Sequence, residues 1–152
     1  MALTTCDVCS ASLEPGRSCE DDFHQMLYWE AEYPELGIVH HLMVTSYYIQ
    51  HPHLYSPDGL KQAHWQLQEF VGKGVTPQAM REYIRADVDS GKWAFKIKGT
   101  PESHGSYEQP MPWTMHACDV VAAGHENYIE RVRDWANSIV TALHSVDLLE
   151  TT

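Results

Sequence analysis

The stretch Gly37-Ile38-Val39-His40-His41-Leu42-Met43-Val44-Thr45-Ser46-Tyr47-Tyr48-Ile49-Gln50-His51-Pro52 sets the architecture. Read as a helix from about 37 to 50, it is apolar on almost every side. A helix without a polar face is a central one, buried by neighbours in several directions. Pro52 disfavours helical backbone at His51, so the helix stops there. The segments around it must therefore be able to cover it.

Working outward, a first helix is expected from about Glu20 to Tyr33, ended by Pro34. Glu20, Asp21 and Asp22 fall in its first turn, where the helix dipole favours negative charge. Phe23, Met26, Leu27 and Ala31 form its apolar face, with Glu30 on the inward side. Ser56-Pro57-Asp58 reads as an N-cap followed by proline at the first helical position. The third helix then runs to Gly72 and places Leu60, His64, Leu67 and Val71 at helical spacing. Thr76-Pro77 repeats the cap-plus-proline signal for a fourth helix that carries Met80, Tyr83, Ile84 and Val88 and ends before Gly91.

Residues 91–113 are the least helical part. Trp93, Phe95 and Ile97 alternate with Ala94 and Lys96, which allows a short strand near 93–98. A loop punctuated by Gly and Pro follows, then a short helix at about His116–Ala123, interrupted by Gly124. The last helix, 125–147, is the clearest amphipathic element. Ile129, Val132, Ala136, Ile139, Leu143 and Val146 form one stripe beside Trp135; Glu126, Glu130, Arg133, Asp134 and Asn137 cover the other side. The expected fold is all-α, a four- to five-helix bundle with an N-terminal cysteine-containing loop. One helical domain spans 1–152: the cysteine loop 1–19, helices within 20–90, a loop at 91–115, and C-terminal helices at 116–147.

Composition narrows the function classes. The chain has 152 residues, 10 Lys plus Arg against 21 Asp plus Glu, and a formal net charge of −11. That balance argues against a nucleic-acid binder, which needs basic residues along a phosphate backbone. No apolar run approaches the roughly 20 residues a bilayer demands, so no membrane partner is expected. The start lacks a basic region followed by an apolar one, so no secretory signal is expected either. A reduced, cytoplasmic, soluble protein is the resulting expectation, with a small molecule or another protein as its unidentified partner. Ten histidines stand out.

Three of the 4 cysteines lie near the start: Cys6-Asp7-Val8-Cys9, then Cys19. Zinc takes four ligands in a tetrahedron, and a Cys-x2-Cys turn supplies two thiolates from one compact loop. Cys19 offers a third, and a histidine is the obvious fourth. His51, freed from its helix by Pro52, is the first candidate and His24 the second. His24 suffers from geometry, since five residues on an ideal helix turn it about 140° from Cys19. His40 and His51 share a helical face but lie roughly 16 Å apart along the axis, and His40 and His41 diverge by about 100°. A redox pair or free thiols is the competing reading of Cys6 and Cys9, although the flanking sequence offers no βαβ context for it.

A second constellation is Glu30, His64 and His125, which could converge inside the bundle on a metal or as a general-base pair. The plainer reading of such a histidine is a core residue satisfied by one hydrogen bond. There is no His-Glu-x-x-His and no Glu-x-x-His, which argues against zincin and ferritin-like sites. Nucleophile elbows and phosphate-binding glycine loops are also missing.

Cys6-x2-Cys9, Cys19 and the block from Leu42 to Pro52, taken with His64, Asp119-Val120 and Trp135-Ala136, resemble a family of short bacterial proteins known only as a domain of unknown function. The likeness covers nearly the whole chain, and Gln50-His51-Pro52 is its most specific part. Ser10 stands where glycine is expected after the second cysteine, and Ser46 where an acid is expected. The second departure puts a carboxylate role on this helix in doubt. The resemblance supports a metal and adds no reaction. A looser likeness is to DinB-like four-helix bundles, whose three histidines hold a metal for thiol transfer or hydrolysis; the nearest positions here are His51, His64 and His125.

Two functions from different classes follow. The first is a zinc-binding helical protein whose metal is structural. The second is a metal-dependent enzyme, a hydrolase or thiol transferase, with a histidine site in the bundle. A pocket holding both His64 and His125 distinguishes the second.

Overall fold

The computed structural model describes residues 3–89 and 97–149, with side chains of 86–89 left aside. Ahead of the helices lies a small antiparallel hairpin, β1 (Thr4–Thr5) and β2 (Ser12–Leu13), in which Thr4 pairs with Leu13 and Thr5 with Ser12. The helices are α1 (Cys19–Glu32), α2 (His40–Gln50), α3 (Pro57–Gly72), α4 (Pro77–Asp89), α5 (Ala117–Ala122) and α6 (Tyr128–Ser145). The protein is an all-α bundle with this one hairpin among its described residues.

Local chemistry sets the helix limits. Ser18 caps α1 by accepting from the Asp21 amide, while the Asp21 carboxylate accepts from the Ser18 amide, a reciprocal capping box. Ser56 caps α3 through the Gly59 amide, with Pro57 at the first helical position. At the other end of α2, His51 leaves helical backbone at φ −126° and ψ 67°, ahead of a 3₁₀ turn at Pro52–Leu54.

The apolar stretch of the sequence is divided. Pro34–Val39 form a 3₁₀ helix, and α-helix begins only at His40. A 3₁₀ helix repeats every three residues. Leu36 and Val39 therefore share the buried face, and Ile38 is left 62% exposed. From His40 onward the expectation holds: α2 packs against both α3 and α6, which also pack against each other. Met43 and Ile49 of α2, Leu67 of α3, and Val132, Trp135, Ile139 and Leu143 of α6 are fully buried in a shared core. The α1 helix lies against α5, which in turn packs on α6.

Other departures are local. Ala31 faces solvent rather than the core, and Tyr83 on α4 is 58% exposed, set edge-on to Trp65. The α6 helix starts at Tyr128 because His125–Asn127 form a 3₁₀ turn after Gly124, whose φ is 84°. The strand expected near 93–98 falls mostly outside the described residues; within them, Lys98 makes an isolated antiparallel bridge to Tyr55. Nearby, Gly105 lies so close to the chain that a Cβ would sit 2.8 Å from the Pro52 carbonyl oxygen. Its amide donates to the Tyr55 carbonyl at 2.8 Å, which leads the following chain past α3. No helix among the described residues is long and apolar enough to cross a membrane.

Candidate metal centre

Cys6 and Cys9 lie in the turn joining β1 to β2. That turn is closed by the Cys6 amide donating to the Ala11 carbonyl at 2.9 Å and the Ser10 amide donating to the Cys6 carbonyl at 3.0 Å. Ser10 adopts φ 68°, the left-handed backbone that favours glycine. The segment is also more than a loop: Cys9, Ala11 and Leu13 are buried in the main core. The sequence signal for this was weak because each strand has only two residues, too few to show alternation.

Cys19 is the first residue of α1, and His51 is the residue that ends α2. Three separate segments thus bring four ligand atoms, one from each of Cys6, Cys9, Cys19 and His51, within 4.8 Å of one another. Cys9 Sγ and Cys19 Sγ are 3.5 Å apart, and Cys6 Sγ and His51 Nε2 are 4.0 Å apart. A tetrahedral zinc with the usual bond lengths requires ligand–ligand edges of about 3.5–3.8 Å. This Cys3His group could hold a metal ion, and it is the one such group of three or more among the described residues.

The histidine is prepared for this role by its second nitrogen. Nδ1–H of His51 donates to the Tyr47 carbonyl oxygen at 2.7 Å, which leaves the Nε2 lone pair facing the sulfurs. The Tyr47 ring stacks on the imidazole at 4.2 Å between centroids, and Phe23 stacks on the far side of Tyr47 at 4.4 Å. Behind it, the buried Gln50 amide donates to the Met115 carbonyl at 2.8 Å and accepts from Trp135 Nε1 at 3.2 Å. The end of α2 is therefore tied to both α6 and the segment leading into α5. His116 adds a further tie that sequence reasoning missed: its Nε2–H donates to the Cys9 carbonyl at 3.0 Å. Only its place just before a short helix could have signalled it.

The thiols interact strongly. Hydrogen bonding from Cys19, opposed by burial, lowers the Cys9 thiol to about 4. Cys19 moves the other way, held protonated by its bond to Cys9, by burial, and by the negative charge of Cys9 and Cys6. Three thiolates in one buried spot repel one another, and a cation at their centre would offset that repulsion.

The remaining candidates lie elsewhere. His24 turns outward, its side chain 62% exposed and 3.8 Å from Glu20, as its helical angle from Cys19 demands. Glu30, His64 and His125 do not converge. Glu30 accepts from the Tyr128 hydroxyl and lies 2.6 Å from His40 Nδ1. His125 stacks on Tyr33 at 4.6 Å and sits 3.3 Å from Glu126. His64 is buried and bonded to the Tyr107 hydroxyl at 3.0 Å. His125 sits in the 3₁₀ turn ahead of α6, against Trp29 and Tyr33 rather than near His64. His51, His64 and His125 likewise have separate surroundings, so the three-histidine arrangement of a DinB-like site is not formed.

A model of the family of unknown function DUF5946 matches residues 4–144. The chain belongs to this family. No curated protein and no solved structure matches it. The DUF5946 match spans all four residues of the Cys3His group, as well as α2 and α6.

Proposed function

We propose that this DUF5946 protein is a zinc protein whose metal is structural, held by Cys6, Cys9, Cys19 and His51. The observation that carries the reading is the convergence of those four ligand atoms within 4.8 Å from three separate segments. Three soft thiolates and one imidazole suit zinc, and four protein ligands close the tetrahedron, the arrangement of structural rather than catalytic sites. Bound there, zinc would supply no reacting position. It would neutralise the thiolates and fasten the hairpin to the start of α1 and the end of α2. A reducing compartment, such as the cytoplasm, fits a site that needs its cysteines as free thiolates. The function is then binding or regulation carried by the surface that this clamp stabilises.

Metal analysis of the purified chain tests the reading. One equivalent of zinc is expected, lost in Cys9→Ser and in His51→Ala. Removal by a strong chelator should lower the thermal midpoint by about 10 °C, since each kcal/mol lost shifts a chain of this size by about 2–4 °C. Purified protein without stoichiometric zinc, or Cys9→Ser retaining it, would overturn the assignment.

A further inference from the structure

A groove of about 1100 Å³ lies between α3, the segment 104–111 and residues 146–149. This is the size range of small-molecule sites. Leu60, Trp65, Met111 and Leu148 supply apolar wall, and Lys61 stands among them. Lys73 is drawn to Glu69 at 3.2 Å, which leaves it partly neutralised. Into this groove faces His64, only 5% exposed.

The state of His64 follows from its neighbour. The Tyr107 hydroxyl donates its only proton to the Ile49 carbonyl at 2.7 Å. Its oxygen can then only accept from the imidazole, so the 3.0 Å contact is Nε2–H of His64 donating to Tyr107. The ring proton is thereby fixed on Nε2, and Nδ1 carries a lone pair. Burial pushes the imidazole down to about 4, so it stays neutral at ordinary pH. A group of such low basicity accepts a hydrogen bond but is a poor proton-abstracting base near neutrality. The two rings lie nearly parallel, 10° between planes, with Trp113 edge-on behind Tyr107 at 5.8 Å. His64, Tyr107 and Trp65 give the groove aromatic surface, and Nδ1 is the acceptor that the buried imidazole offers there, beside the more peripheral side chains of Gln68, Glu69 and Gln109.

We propose that this groove binds a small neutral aromatic molecule that presents a single O–H or N–H donor to Nδ1 of His64. The pair of hydrogen bonds through Tyr107 selects for that donor. A carboxylate in the same place would set lone pairs against a lone pair, and an ether would leave the imidazole without its partner. Discrimination of this kind, by a buried polar group that must be matched, is stronger than discrimination by shape alone.

Three naphthalene probes test it on the zinc-loaded full chain at neutral pH: 2-naphthol, 2-methoxynaphthalene and 2-naphthoate. Titrations followed by calorimetry and by the shifts of the His64 ring signals should show 2-naphthol binding at least tenfold more tightly than either analogue. In His64→Leu the preference for naphthol over its methyl ether should vanish. Tyr107→Phe, which releases the ring proton to either nitrogen, keeps the test available where the leucine variant fails to fold, and should shrink the preference severalfold. Equal binding of naphthol and its ether, or no binding of any probe, overturns the proposal. Tightest binding of naphthoate also overturns it, in favour of anion recognition through Lys61.

Discussion

Ser10 is the residue at which the cysteine hairpin carries visible strain. Its φ of 68° is a conformation in which a side chain bearing Cβ costs about 1 kcal/mol relative to glycine. Yet its amide must reach the Cys6 carbonyl, at 3.0 Å, to close the turn that presents Cys9. The glycine that the family resemblance leads one to expect here would adopt this backbone freely, and the serine adopts it at a cost. Ser10→Gly should therefore stabilise the protein by up to roughly 0.5 kcal/mol, the strain relief less the extra entropy of an unfolded glycine. Urea unfolding would register this as a higher midpoint at unchanged slope and unchanged zinc stoichiometry. A lower midpoint would mean that the serine side chain contributes more than its backbone costs. The second departure, Ser46, is fully buried with its hydroxyl unpartnered among the described residues. A carboxylate role at that point of α2 has no support in its surroundings.

At the scale of elements, the capping box of α1 does more than start a helix. Ser18 and Asp21 fix the first turn, and the first residue of that turn is Cys19. Ser18→Ala removes the side-chain acceptor of the Asp21 amide and should cost about 1 kcal/mol in urea unfolding. It should also weaken zinc against a competing chelator severalfold, because the Cys19 thiol is no longer held at its place. Lowered stability with unaltered zinc affinity would show that the cap supports the helix alone. Elements of this kind were legible in the sequence because their signals are local. Ser56-Pro57 marked the start of α3, the stripe Val132, Ala136, Ile139, Leu143 marked α6, and Pro52 marked the release of His51. The illegible parts have non-local causes. Two-residue strands depend on Ala11 and Leu13 reaching the core, and the contact of Tyr107 with His64 depends on Gly105 passing close to Pro52. His125 and His64 are separated along the length of the bundle: His125 lies just before the start of α6, stacked on Tyr33, whereas His64 shares its groove with residues 146–149 past the other end of that helix.

Across the whole molecule, the polar chemistry is divided between two sets of partners: thiolates with His51, and His64 with Tyr107, whose hydroxyl reaches the Ile49 carbonyl near the same end of α2. That division makes the acid response separable. His64 takes up a proton in the folded protein only at about pH 4, because burial penalises the imidazolium, whereas an unfolded histidine does so near pH 6.5. Between these two values the unfolded chain binds more protons, so stability falls as pH drops from about 6.5 to 4 and is undiminished above that window. A gap of this size corresponds to on the order of 3 kcal/mol lost across the window. Loss of the proposed zinc from protonated thiolates would add to the same fall, so the slope of wild-type stability alone does not isolate His64. His64→Gln keeps a polar group beside Tyr107 and removes the titration. Its unfolding free energy, measured by urea at fixed zinc concentration, should fall less steeply between pH 6.5 and 4 than that of the wild type, the two profiles converging by up to about 3 kcal/mol. Parallel profiles would place the acid sensitivity entirely at the metal centre and would show that the imidazole of His64 is already protonated, or equally easy to protonate, in the folded chain.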